Sequence, residues 1–187
     1  MGCWGITAFE SDAGLDAMEI IRESLPKDGR LELGAVIEAL KAVEWGVPDV
    51  SAGDSHTGPM ILAEVVAKYL DHELEELDDD EAWAAADNKF RDLTSFTADR
   101  ESMRWLRDYL TDSLKHVMEN AEVRAQHPAT EWDKQGGWRS RKNWLAWQEH
   151  MVRLAERLDG LLAKGDSAIE LIRPQDQTAE PFMSLQM

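Results

Sequence analysis

Cysteine is almost absent from this chain: Cys3 stands alone, so no internal disulfide can form and a disulfide-stapled scaffold is excluded. Long apolar runs are also lacking, and no stretch approaches the roughly 20 apolar residues of a membrane span. Residues 1–6 hold neither a basic region nor a long apolar run, which argues against a secretory signal. Met1-Gly2-Cys3 has the outline of an acylation start, but Ile6 stands where that pattern requires Ser or Thr. The expectation is a cytoplasmic location with no membrane partner.

Basic residues are scarce as well. Lys and Arg number 20 against 37 Asp and Glu, a net charge of −17. Residues 1–100 hold 23 acids and 8 bases, a balance of −15, whereas 101–187 hold 14 acids and 12 bases, a balance of −2. Such a field repels phosphate backbones and anionic membranes and attracts basic partners, so nucleic acid is not expected as a ligand. Catalytic templates are missing too. There is no GxSxG elbow, no GxxxxGK[ST] phosphate loop, no dinucleotide fingerprint and no HExxH or Cys/His finger spacing. No cofactor, metal site or catalytic residue is assigned from the sequence.

Hydrophobic periodicity is what the chain does have. It predicts a mostly α fold, an irregular helical bundle of about five main helices, with a short extended segment near the C-terminus at 169–172. The first helix follows the capping pair Ser11-Asp12 and carries Leu15, Met18, Ile21 and Leu25. A second carries Leu33, Val36, Ile37, Leu40 and Val43. A third opens with Pro59 at its first helical position and carries Leu62, Val65, Val66, Tyr69 and Leu70. A short helix is expected around Trp83 to Phe90. The fourth main helix begins after Thr97, with Met103, Leu106, Leu110, Leu114, Val117 and Ala121 on one face. The fifth spans roughly 140–163, with Trp144, Trp147, Met151, Leu154, Leu158 and Leu161 on its stripe. Residues 1–174 read as one helical domain and 175–187 as a loosely held tail.

Three local patterns are candidates for function. The first is the run from 71 to 81, Asp71, Glu73, Glu75, Glu76, Asp78, Asp79, Asp80 and Glu81, with no Lys or Arg between them. It is the candidate docking surface for a basic protein partner, as helix or as loop. The second is the tryptophan-rich segment holding Trp132, Trp138, Trp144 and Trp147. Aromatics interleaved with Lys134, Arg139, Arg141 and Lys142 can stack on single-stranded nucleic acid. The better reading is core, with Arg139 and Arg141 paired to the acidic half. The third is a pair of helical ladders, Glu64-Lys68-His72 and Asp108-Asp112-His116, the second lying off the apolar stripe on a solvated face.

The opening segment is the most distinctive pattern. Gly2-Cys3-Trp4-Gly5 places an indole between glycines, Phe9 precedes the helix cap, and Asp12 and Asp16 lie one turn apart near a helix start, where carboxylates are favoured. Trp4 and Phe9 are expected to anchor the N-terminus on the body. Gly2, Trp4, Gly5, Phe9, Asp12 and Asp16 resemble the M-G-x-W-G-x-x-x-F-x-N-D-x-A-x-D start of an uncharacterised bacterial family, domain of unknown function 4259. The chain departs from that start at Ser11, where the pattern has Asn, and at Gly14, where it has Ala. The resemblance implies a bacterial cytosolic protein and supplies no reaction.

The leading expectation is a non-enzymatic binding protein, immunity or antitoxin-like, whose acidic half engages a basic protein partner. The alternatives are an enzyme or metal-binding protein with a site assembled from dispersed His72, His116 and His150 with carboxylates, and an oligomeric module joined through the 103–121 helix.

Overall fold

A computed structural model describes residues 3–79, 89–164 and 168–170, the last three as backbone alone. Gly2, Asp80, Glu81, most of the helix expected near Trp83 and the 175–187 tail lie outside the described residues. The fold is mostly helical, with five α-helices among the described residues and one small sheet.

Helix α1 (Asp12–Glu23) starts where Ser11 Oγ accepts the Gly14 N–H, and it buries Ala17, Met18 and Ile21 at helical spacing. Helix α2 (Leu33–Lys41) buries Leu33, Val36, Ile37 and Leu40. Helix α3 (Gly58–Asp71) is capped by Thr57 and is buried continuously from Gly58 to Val66, as befits the central helix of the core. Pro59 is its second residue, not its first, and its missing N–H costs nothing in that first turn. Helices α4 (Arg100–Gln126) and α5 (Arg141–Leu162) form the longest pair. Arg100 donates to the Leu162 carbonyl at 2.7 Å and Arg107 pairs with Asp159, so the two run antiparallel. The buried stripe of α4 (Met103, Leu106, Leu110, Val117, Ala121) is spent inside its own chain. It leaves Met118 and Val123 outside.

The sheet exceeds expectation. Strands β1 (Arg30–Glu32), β2 (Ser95–Asp99) and β3 (Ala168–Glu170) pair in that order, β1 parallel and β3 antiparallel to β2. Leu31 stands opposite Phe96, and Ala98 opposite Ile169. The extended segment foreseen near 169 is β3. The other two strands were not foreseen, because three and five residues are too short for a period-two pattern to stand out. The alternation is nonetheless present in β2, where Phe96 and Ala98 are buried between more exposed neighbours.

Candidate functional site

The N-terminal segment folds back before α1 begins, and two cavities open beside it. Thr7 and Glu10 form a capping box: the Ile6 and Thr7 N–H groups both donate to Glu10 Oε2, at 2.9 and 3.1 Å. Those bonds, led by the Thr7 N–H, hold the Glu10 carboxyl below its ordinary range. Trp4 N–H donates to the Glu10 carbonyl at 3.0 Å, and Cys3 bridges Ser11. Gly5 is buried against the Glu10 carboxylate, where a Cβ would lie 2.0 Å from Glu10 Cδ. The segment is therefore docked, as expected, but its anchors differ from those expected. Trp4 is 58 % exposed and Phe9 is half-buried against the core. Backbone hydrogen bonds and the glycine contact hold the turn. Gly14 lets α1 approach so closely that an Ala Cβ there would meet the Ala8 oxygen at 1.8 Å.

The first cavity, about 570 Å³, opens between the segment and the 44–58 loop. Asp16, Glu44 and Asp54 line it beside the indole of Trp45, which is 49 % exposed. All three carboxylates are exposed, and none is paired with a cation among the described residues. Behind them, buried His56 places Nε2 3.4 Å from Cys3 Sγ and Nδ1 2.9 Å from Ser55 Oγ. The loop is fixed from outside: Tyr109 OH donates to the Pro48 carbonyl at 2.7 Å and Trp147 Nε1 donates to the Ser55 carbonyl at 2.9 Å. Burial pushes the His56 imidazole down and the Cys3 thiol up, so both rest neutral at pH 7.

The second cavity, about 600 Å³, lies between the segment, α3 and α5. Its buried feature is Glu64, whose oxygens both accept the Ala8 N–H at 3.0 Å and whose Oε1 lies 2.7 Å from His150 Nε2. The remaining charges on its walls are largely paired: Asp71 with Arg157, Glu73 with Lys68, and Arg153 with Glu149. Glu64 is therefore not a member of the Glu64-Lys68-His72 ladder. Lys68 turns to Glu73 and Glu76, while His72 leaves the helix at φ 62°.

Of the six described acids of the run, four are paired with cations of the same chain. Asp71 is held by Arg157, and Glu73 and Glu76 by Lys68. After His72 the chain enters a 3-10 turn, Leu74–Asp78, which places Asp78 inside the protein. Asp78 is 2 % exposed and binds the Arg22 guanidinium at 2.9 Å and the N–H groups of Phe90 and Arg91 at 3.1 and 2.9 Å. That residue cannot serve a docking surface, which corrects the expectation. Glu75 and Asp79 remain exposed.

The tryptophan cluster is core at one end only. Trp147 is fully buried and stacks on half-buried Trp144 with centroids 5.7 Å apart, while Trp132 is 45 % exposed. Arg139 lies over the Trp132 ring, 5.0 Å from its centroid. Among the described residues neither Arg139 nor Arg141 forms an ion pair with the acidic half, contrary to expectation. On the solvated ladder of α4, Asp108 meets Arg107 and His116 meets Glu119. Among the described residues no group of three or more His, Cys, Asp or Glu is placed to hold a metal ion. No helix there is long and apolar enough to cross a membrane.

Sequence reasoning missed the two long-range pairs, Cys3 with His56 and Glu64 with His150. A signal existed for Glu64: it is the lone charge in the apolar run 59–67. A carboxylate in such a place must find partners in the core. No signal announced that Asp16, Glu44 and Asp54 would converge. No family model matches the chain, and neither a curated protein nor a solved structure matches it.

Proposed function

We propose that the chain is a non-enzymatic binding protein for a basic protein partner, in the manner of an immunity protein or antitoxin. The supporting observation is the cleft where Asp16, Glu44 and Asp54 stand, with no cationic partner among the described residues, beside an exposed indole. Unpaired carboxylates cost nothing to hold in solvent and attract lysine or arginine side chains, while Trp45 offers its ring face to the same cations. This moves the docking surface from the 71–81 run, where four of the six described acids are paired within the chain, to the cleft beside the N-terminal segment. Asp16 belongs both to the cleft and to the opening that resembles the uncharacterised bacterial family, and we propose that family for the chain.

The test is affinity capture from the source cells at low and high salt, followed by binding of the purified partner to a D16N/E44Q/D54N variant. A basic protein released by salt, and bound at least about tenfold more weakly by the variant, supports the reading. Equal binding by the variant counts against it.

The pair Glu64–His150 favours a second reading, an enzyme. A buried carboxylate that accepts from one imidazole nitrogen orients the ring and leaves the other nitrogen as a base, here beside a cavity of about 600 Å³. Loss of a detected turnover in H150Q, with the fold retained, distinguishes it.

A further inference from the structure

We infer that Cys3 is a modification site, at which the thiol, backed by the His56 imidazole, exchanges with small cationic disulfides. The preference for cations rests on the reading of the acidic cleft given above; the thiol–imidazole pair does not depend on it.

Three observations carry the site. Cys3 is exposed at a cavity of about 570 Å³, so a reagent can reach the sulfur. His56 lies behind it at 3.4 Å and is only 6 % exposed, so the base is sheltered while the nucleophile is not. The imidazole is also locked in place. Ser55 Oγ meets Nδ1 at 2.9 Å, and the Trp138 ring lies with its centroid 5.7 Å away. In the tautomer that donates Nδ1–H to Ser55, Nε2 is the basic nitrogen and faces the sulfur. At rest the thiol has a second acceptor in the Gly5 carbonyl at 3.3 Å.

Burial raises the thiol and lowers the imidazole, so the pair carries no standing thiolate. The sulfur reacts by giving up its proton during attack. In the exchange, Cys3 Sγ bonds to one sulfur of R–S–S–R as its proton passes to His56 Nε2. The S–S bond breaks, and the leaving R–S⁻ takes that proton. Cys3–S–S–R and R–SH result: the Cys3 sulfur rises from thiol to disulfide level as the leaving sulfur falls from disulfide to thiol level, so no outside oxidant is needed. Asp16, Glu44 and Asp54 line the approach, with Glu10 near the thiol, and this field selects the charge of R.

The experiment uses the full chain and follows the mass of the Cys3 adduct with three disulfides: cationic cystamine, neutral hydroxyethyl disulfide and anionic oxidised glutathione. Wild-type protein is expected to react with cystamine at least about tenfold faster than with oxidised glutathione. D16N/E44Q/D54N should narrow that ratio. H56Q should lower the neutral rate about tenfold or more, and C3S should abolish every adduct. An unchanged neutral rate in folded H56Q overturns the pair. Should H56Q fail to fold, S55A, which frees the imidazole, must still slow the neutral reaction, and an unchanged rate there overturns the pair equally. A wild-type cystamine-to-glutathione ratio near one overturns the cationic preference and leaves the neutral comparison to judge the thiol.

Discussion

Glu64 and Ala8 are joined across the core by a carboxylate that receives one backbone N–H on both oxygens at 3.0 Å. The contact ties the N-terminal turn to the central helix, and His150 supplies the compensating donor at 2.7 Å. A buried acceptor set of this kind is costly to leave half-filled. E64Q presents one oxygen where two were used, so it should destabilise the fold by about 1–3 kcal/mol in urea unfolding. The Ala8 amide should also exchange faster in E64Q at equal overall stability. Wild-type protection of that amide in the variant would contradict the tie.

Asp78 makes a second prediction, and it concerns acid. Burial alone would raise its carboxyl, but the Arg91 N–H, the Arg22 guanidinium and the Phe90 N–H together hold it below the ordinary range. The unfolded chain then binds the proton first as pH falls. The stability this group contributes is fully present above about pH 4, the unfolded value, and drains away as pH falls through the folded one. D78N should cost about 3–5 kcal/mol at neutral pH, because it removes a carboxylate that lies 2.9 Å from the buried Arg22 guanidinium. The variant should also lose part of the steep acid dependence. Parallel acid-unfolding curves for the two proteins would refute the assignment.

His56 predicts a separate step at milder pH. Its folded value is lowered by burial, so between that value and about 6.5 the unfolded chain binds a proton the folded chain refuses. Stability from the neutral imidazole is therefore whole above about pH 6.5 and declines as pH falls toward the folded value. Unfolding free energies from pH 7.5 to 5 should show that decline in wild type and a shallower one in H56Q. Equal slopes would mean that the imidazole is not held neutral by the fold.

The helices were legible because each writes its burial into local spacing. Met103, Leu106, Leu110, Val117 and Ala121 all fall on the buried face of α4, as their three- and four-residue steps require. The clefts were not legible, since each joins residues from separate elements. Cys3 meets His56 across 53 positions and Glu64 meets His150 across 86, and no local pattern encodes either closure. The acidic run misled for a related reason. Charge density was visible along residues 71–81, but Arg22, Lys68 and Arg157, which absorb much of it, are brought there only by the fold.

Two helical glycines, Gly14 and Gly160, offer a paired test of how tightly the N-terminal turn sits on α1. At Gly14 a new Cβ would lie 1.8 Å from the Ala8 carbonyl oxygen, and that atom belongs to backbone which Glu64 already fixes. The turn cannot swing aside without breaking the bond from Ala8 N–H or the 2.8 Å bond from Ser11 Oγ to Ala8 O. G14A should therefore cost about 1–3 kcal/mol, the range for overpacking, although alanine is the better helix former. Gly160 is the control: it is exposed in α5, with nothing within 4 Å of its built Cβ. G160A should stabilise by about 0.5–1 kcal/mol through propensity and reduced freedom of the unfolded chain. Urea unfolding of both variants measures the difference. If G14A matched G160A in sign, the close approach of α1 to the turn would be wrong.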